Sequence, residues 1–256
     1  MPQDKKSVVI LATYAASSEE LQHAFYLAES IREFGGAMSA SPIRIYVPDD
    51  VKPQLAEIEK GFAPLDASVR TSHVPVEAAW FYYAGKVYAA GQAESEAESE
   101  GAVLVWMDED TILLREPEAF RLQPGVSFAY RPVMHNRSGT LWGEEPNPFW
   151  RRIYEVLEIP ESSLFPMTTP ADSQKVNAYF NAGLLVVRPE KSILRNWGRD
   201  FGKLYRDSTI VAMCREKVDN RIFIHQTALV GAVLNELARD ELVELPAEYS
   251  YPLFFE

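Results

Sequence analysis

The segment Gly101–Pro117, GAVLVWMDEDTILLREP, constrains this chain more than any other. Its unbroken apolar run, Ala102 to Met107, has the length and β-branched character of a strand buried on both faces. The segment turns acidic at Asp108, Glu109 and Asp110, then apolar again past Thr111 through Ile112, Leu113 and Leu114. Like charges crowded at the end of a core strand repel one another and are costly to desolvate unless a cation neutralises them. Mg²⁺ or Mn²⁺ does so, because these ions prefer carboxylate oxygens and leave positions free for phosphate. Open α/β sheets also place ligands at the C-terminal ends of their strands. The competing reading is a solvated turn, since Asp favours turns.

The flanking sequence supplies the sheet this strand needs. Ser7 to Ala12 reads as a buried strand with Thr13 and Tyr14 at its end. A capping box, Ser17 with Glu20, then opens a helix that Gly35-Gly36 stops. Pro42 to Val47 is a second strand, Gln54 to Phe62 a short helix and Ala67 to Val74 a third strand. A long helix is expected from Ala79 to Glu98, aromatic early (Trp80 to Tyr83, Tyr88) and ending in a solvated AESEAESE repeat. This β-α-β-α-β-α-β order implies a parallel sheet with helices on both faces.

Beyond Pro117 the texture changes. Strands are expected at Ser127 to Pro132, Tyr179 to Val187 and Glu241 to Leu245. Helices are expected at Phe149 to Leu157, Ser192 to Tyr205 and Gln226 to Arg239. The two longest loops are His135–Pro148 and Pro160–Asn177. No linker or internal repeat divides the chain, so one domain is expected over residues 1–256.

Three ordered segments, Ser7–Tyr14, Val103–Pro117 with Asp-Glu-Asp, and Tyr179–Pro189 with Phe-Asn-Ala-Gly, carry a resemblance. Together with Gln226 opening a helix, they resemble glycosyltransferase family 8, the glycogenin-like and bacterial galactosyltransferase-like nucleotide-diphospho-sugar transferases. The resemblance implies a GT-A fold, an α/β fold with a mostly parallel central sheet and helices on both faces. Residues 1–117 would bind nucleotide sugar and metal, and residues 118–256 the acceptor. It further implies a UDP-sugar donor, Mn²⁺ (or Mg²⁺) as cofactor, retention of anomeric configuration, and a glycan, lipid-linked or protein acceptor. Asp108 and Asp110 would be the metal ligands. Thr13, Tyr14, Lys86, Asp108 and Glu109 would hold the donor, with Asn181, Ala182 and Gly183 facing the transferred sugar. Gln226 and Asn181 would act at the reacting carbon. The physics of Gly183 agrees, since a glycine inside a strand weakens it unless backbone or ligand approaches closely, or the strand bulges.

Two departures stand out. His225 replaces the Asp that usually precedes Gln226, and no His-x-x-Gly-x-x-Lys-Pro-Trp-like segment supplies a third metal ligand after Tyr251. Either the sequence is part of a longer chain, or water or another residue fills the position, with His135 and His225 as internal candidates. The alternative to an enzyme is a non-catalytic nucleotide-sugar-binding GT-A protein. A sugar-1-phosphate nucleotidyltransferase is disfavoured because Thr13 to Ser18 holds no Gly, Lys or Arg to cradle a triphosphate.

Composition narrows the setting. A formal net charge of −12 argues against a nucleic-acid surface. The single cysteine, Cys214, excludes an intramolecular disulfide and fits a reducing compartment. The N-terminal MPQDKKSVVILATYAASSEE reads as a first strand rather than a signal peptide, and no run reaches the length of a membrane-spanning helix. A cytoplasmic protein without an integral membrane segment is the expectation.

Overall fold

A computed structural model describes residues 8–253, apart from the side chains of Lys52 and Pro53. Ser7, expected to open the first strand, and Phe254 to Glu256 lie outside the described residues. The first half alternates Val9–Tyr14 (β1), Ser18–Phe34 (α1), Ile43–Pro48 (β2), Leu55–Phe62 (α2), Ala67–Ser72 (β3), Ala84–Ser99 (α3) and Val103–Met107 (β4). The second half continues with Phe128–Pro132 (β5), Pro148–Val156 (α4), Pro166–Thr168 (β6), Lys175–Asn177 (β7) and Phe180–Val187 (β8). Ile193–Arg206 (α5), Ser208–Glu216 (α6), Val218–Leu234 (α7) and Leu242–Glu244 (β9) complete it.

Seven strands form the central sheet in the order β3-β2-β1-β4-β8-β5-β9, while β6 and β7 pair as a separate antiparallel ribbon. β1 to β4 run parallel, β8 is antiparallel to both its neighbours, and β9 is parallel to β5. The mixed, mostly parallel α/β sheet expected from the sequence is therefore present. Side chains alternate across the strands. Ile10, Leu104, Trp106 and Leu185 meet α3, α5 and α7 on one face, and Leu11, Ile45, Val105 and Val186 meet α1 and α2 on the other.

Several local expectations are corrected. The long helix begins at Ala84, not Ala79, because tertiary contacts claim the aromatic stretch before it. Phe81 turns inward against Phe201 and Tyr205, with ring centroids 5.8 and 5.9 Å away. The AESEAESE repeat is solvated on its outer face only, with Ser95, Glu98, Ser99 and Glu100 exposed. Small Ala93 and Ala97 let α3 lie close to its neighbours, and Glu94 is fully buried. The Glu94 carboxylate accepts the Leu194 and Arg195 backbone N–H groups at 3.0 and 2.8 Å, capping α5. That cap is needed because Ser192, the residue before α5, is left-handed and makes no side-chain cap.

At α1, Ser17 caps the Glu20 N–H, but Glu20 reaches back to the Ala16 N–H rather than that of Ser17. The last long helix starts at Val218 and ends at Leu234, so Gln226 lies inside it instead of opening it. Every residue from Ile224 to Leu234 is buried, which erases the polar stripe that periodicity reads. The Pro160–Asn177 loop contains the β6–β7 ribbon, whose three-residue strands are too short to show alternation.

Removing the Glu94 carboxylate strands two helix-end N–H groups and the Arg195 guanidinium, whose Nε lies 3.4 Å from it. Glu94→Ala is expected to lower stability by about 3 kcal/mol, the cost of unmatched buried polar groups, as measured by urea unfolding.

Candidate active site

The C-terminal ends of β1 and β4 open into a cavity of about 400 Å³. Asp108, Glu109, Asp110 and Lys86 line one side, and Phe81, Tyr82, Tyr83 and Tyr14 stand around it. β4 is buried along its whole length and delivers Asp108 at the point where pairing with β8 ends, the Asp108 N–H donating to Gly183 O at 2.8 Å.

Lys86 resolves the local charge problem. It is buried on the first turns of α3, and its Nζ lies 2.5 Å from Asp108 Oδ1. Burial raises the Asp108 pKa, Lys86 opposes that rise, and Asp110 adds to it. Glu109 has no such cation. Burial, and then the charges of Asp108 and Asp110, push its carboxyl up to about 7. The same acidic edge, after burial, raises Tyr83 as well.

β8 bulges beside this edge. Between the Tyr130–Leu185 and Pro132–Phe180 pairs the register shifts, so the stretch holding Asn181, Ala182 and Gly183 leaves regular pairing. A Cβ on Gly183 would lie 3.0 Å from both Asp108 Oδ2 and Asn181 Oδ1, which makes the glycine a condition of the close approach. Asn181 Oδ1 accepts the Gly183 N–H at 2.7 Å. The Ala182 methyl turns into the core instead, while its N–H donates to Gln226 Oε1 at 3.4 Å. Gln226 Nε2 in turn donates to the Tyr179 hydroxyl at 3.5 Å.

The structure thus brings Lys86, Asp108, Asn181 and Gly183 together, with Glu109 and Asp110 alongside on the cavity wall and Gln226 behind Ala182. Tyr14 joins the wall by lying over Gly85, where any Cβ would strike its ring. Burial, then Glu20 and Asp50, push its phenol up to about 12. Thr13 does not line the cavity. Strand alternation turns its buried side chain to the opposite face, and its Oγ1 has no partner.

The two histidines expected as spare metal ligands do not join Asp108 and Asp110. His135 is exposed on the loop after β5. His225 is buried, with its pKa held well below the usual value by burial and Lys86. In that neutral form its Nδ1–H donates to Ile222 O at 2.8 Å, while Tyr83 stacks on it at 4.3 Å. Among the described residues no three His, Cys, Asp or Glu side chains form a ready metal cluster. The donor set still suits a hard cation: two carboxylates at a crowded acidic edge, with other positions left to a ligand's phosphate oxygens. Trp106 on the cavity wall also keeps a buried Nε1–H with no acceptor.

Sequence reading missed Glu20, Tyr82, Tyr83 and Trp106 as wall residues. The Trp-Phe-Tyr-Tyr run at 80–83 carries the signal for the two tyrosines, which the expected helix absorbs.

An acidic strand end and a bulged glycine strand thus meet at one end of this mixed sheet, the acidic edge lining a cavity. A model of the Rhodobacterales glycosyltransferase domain matches residues 13–234, and the chain belongs to that family. No curated protein matches it by sequence. Among solved structures, the galactosyltransferase LgtC in complex with donor and acceptor sugar analogs is similar. The TM-score is 0.51 and the identity 12%, over 93% of this chain and 73% of LgtC. Core-mannan synthase A (CmsA/Ktr4) from Aspergillus fumigatus, in an Mn/GDP form, matches with TM-score 0.51 and 11% identity, over 95% of this chain and 74% of its own. These likenesses establish the shared GT-A fold. No helix among the described residues is long and apolar enough to cross a membrane.

Glu109 gives a test of the site's electrostatics. Its folded-state pKa is raised from 4.5 to about 7, so its contribution to stability is present below pH 4.5 and lost as the pH rises through 7. Glu109→Gln is expected to exceed the wild type in stability by about 1–2 kcal/mol at pH 8, after allowance for solvent screening. Urea unfolding at pH 5 and pH 8 should show the gap widening with pH.

Proposed function

We propose that the chain transfers a hexosyl group from a UDP-sugar to a hydroxyl of a glycan, lipid-linked or protein acceptor, with Mn²⁺ or Mg²⁺ and with retention. The observation that carries this reading is the Asp108–Asp110 edge facing the cavity with Lys86 buried against Asp108. The volume suits a nucleotide diphosphate, and LgtC and core-mannan synthase A, of the same fold, were solved with sugar analogs and with Mn/GDP.

Asp108 and Asp110 would hold the cation, which when bound supplies charge stabilisation for the departing nucleotide diphosphate. Lys86 opposes the protonation of Asp108 that burial favours and holds its carboxylate in place. Tyr14 and Tyr83 wall the nucleotide side, and Gly183 lets backbone stand where a side chain would exclude the sugar. Asn181 fixes the Gly183 amide, and Gln226 fixes the Ala182 amide beside the transferred sugar.

Neither residue that α7 brings to this end of β8, His225 or Gln226, is a carboxylate able to form a covalent sugar intermediate. This favours a front-face reaction. The bond from the anomeric carbon to the phosphate oxygen breaks, the acceptor oxygen bonds on the same face, and its proton passes to the leaving phosphate. A second reading, a nucleotide-sugar binder without turnover, draws on the lack, among the described residues, of a group of three His, Cys, Asp or Glu side chains able to hold the metal.

Calorimetry of UDP with and without Mn²⁺ tests the donor site. Metal-dependent binding is expected in the wild type, weakened at least about tenfold in Asp110→Ala, the scale on which metal-site substitutions act. Binding indifferent to both metal and substitution would reduce the acidic edge to a turn, and binding without turnover on any acceptor would select the second reading. Retention is tested by anomer-resolved NMR of the first product formed. The expected product keeps the donor's configuration, and an inverted one rules the front-face reaction out.

A further inference from the structure

Arg221 is unusual among the arginines of this acidic chain. Nine others form ion pairs with carboxylates. Arg221 forms none with any described residue. Its half-buried guanidinium lies between two aromatic rings, 4.8 Å from the Trp80 centroid and 4.3 Å from that of Tyr82. Nε is buried with no hydrogen-bond partner, and the terminal nitrogens donate to no described residue.

Contact with the rings leaves the edge formed by the two terminal nitrogens free. That edge is the part of arginine that matches the paired oxygens of carboxylate or phosphate. Flanking rings also lower the local dielectric and strengthen such a contact. Trp80 and Tyr82 remain 41% and 57% exposed, so the sandwich stands at the surface with flat apolar faces beside the charge.

The sandwich also lies next to the cavity without being inside it. Tyr82 forms part of the cavity wall, and Arg221 stands against that ring on the first turns of α7. One turn further on, the same helix presents His225 to Tyr83 and Gln226 to the Ala182 amide. A molecule reaching the transferred sugar from outside the donor cavity would pass this edge.

We infer that Arg221, framed by Trp80 and Tyr82, recognises an anionic group, carboxylate or phosphate, on the sugar acceptor. The inference rests on the donor-site reading of the cavity. The acceptor class is then an acidic glycan: one aromatic ring takes the apolar face of a sugar while the guanidinium edge takes its charged substituent.

The test uses the full chain loaded with UDP and Mn²⁺, titrated with glucuronic acid, glucose 6-phosphate and glucose, and followed by saturation-transfer NMR. In the wild type, at least one acidic sugar is expected to bind ten times or more tighter than glucose, and the stronger of the two identifies carboxylate or phosphate as the group. In Arg221→Met that preference should vanish while glucose binding and the UDP Kd stay within twofold. Arg221→Lys should recover part of the preference.

Equal binding of all three sugars by the wild type, including no binding of any, would overturn the inference. So would a preference that survives in Arg221→Met, or a loss that strikes glucose equally and marks Arg221 as a clamp for the aromatic loop. If Arg221→Met weakens UDP instead, the guanidinium serves the donor and the acceptor assignment is wrong. Wild-type protein that fails to bind UDP at all would refute the donor-site reading itself, a result distinct from each of these.

Discussion

The ion pair between Lys86 and Asp108 is the interaction around which the site is organised. A carboxylate at the end of a fully buried strand is tolerable only if a cation meets it there. That cation must arrive from an element packed against the same strand. α3 does this because its inner face is almost entirely small. Ala89, Ala90, Ala93 and Ala97 are all buried, so the helix axis comes close enough for a buried lysine to reach the strand end. Glu94 on the same face then ties α3 to the first turn of α5. Gly85, one residue before Lys86, leaves room for the Tyr14 ring from β1. One helix therefore fixes the acidic edge, the neighbouring helix and one wall of the cavity.

A second helix organises the opposite side. α7 is buried over most of its length and packs against α5 and β8. Residues one turn apart on it serve different walls: Arg221 holds Trp80 and Tyr82, His225 stacks on Tyr83, and Gln226 holds the bulged Ala182 amide. The neutral state of His225 follows from this placement. Burial, and then the nearby Lys86 charge, disfavour a second proton on this ring. At this position the chain carries a group that adds no negative charge to an edge that already holds three carboxylates.

The sequence made the sheet and its acidic edge legible because buried parallel strands announce themselves as continuous apolar runs, and β1 and β4 both do. Asp108 and Asp110 could be placed at a strand end, and Gly183 flagged as anomalous within a strand, on that basis alone. What remained hidden depended on tertiary contact. Lys86 reads like any helix lysine until the packing that buries it is known. Glu94 sits in a repeat that looks solvated, since nothing local reveals that the N-terminus of α5 will need a cap. α7 was misplaced by eight residues at its start, because a helix buried on all sides has no polar face to set its phase. Thr13 and Tyr14 are expected together at the strand end, whereas strand alternation allows only one of two successive side chains on the cavity side.

Several features that oppose local stability meet at the C-terminal end of β4. Glu109 is held in an environment that opposes its ionisation, Trp106 buries an N–H without an acceptor, and β8 departs from pairing around Asn181 and Gly183. Away from that end, the strands alternate between two well-filled faces and the principal helices meet them with apolar or small residues. A protein under selection for stability alone would replace such features one by one, as each is destabilising by itself. The rest of the fold supplies the stability on which this edge depends. Its excess negative charge faces a space of nucleotide size. An occupant that brings cationic charge to the carboxylates relieves it. A divalent cation carrying a nucleotide diphosphate does so, and neither water nor a neutral sugar does.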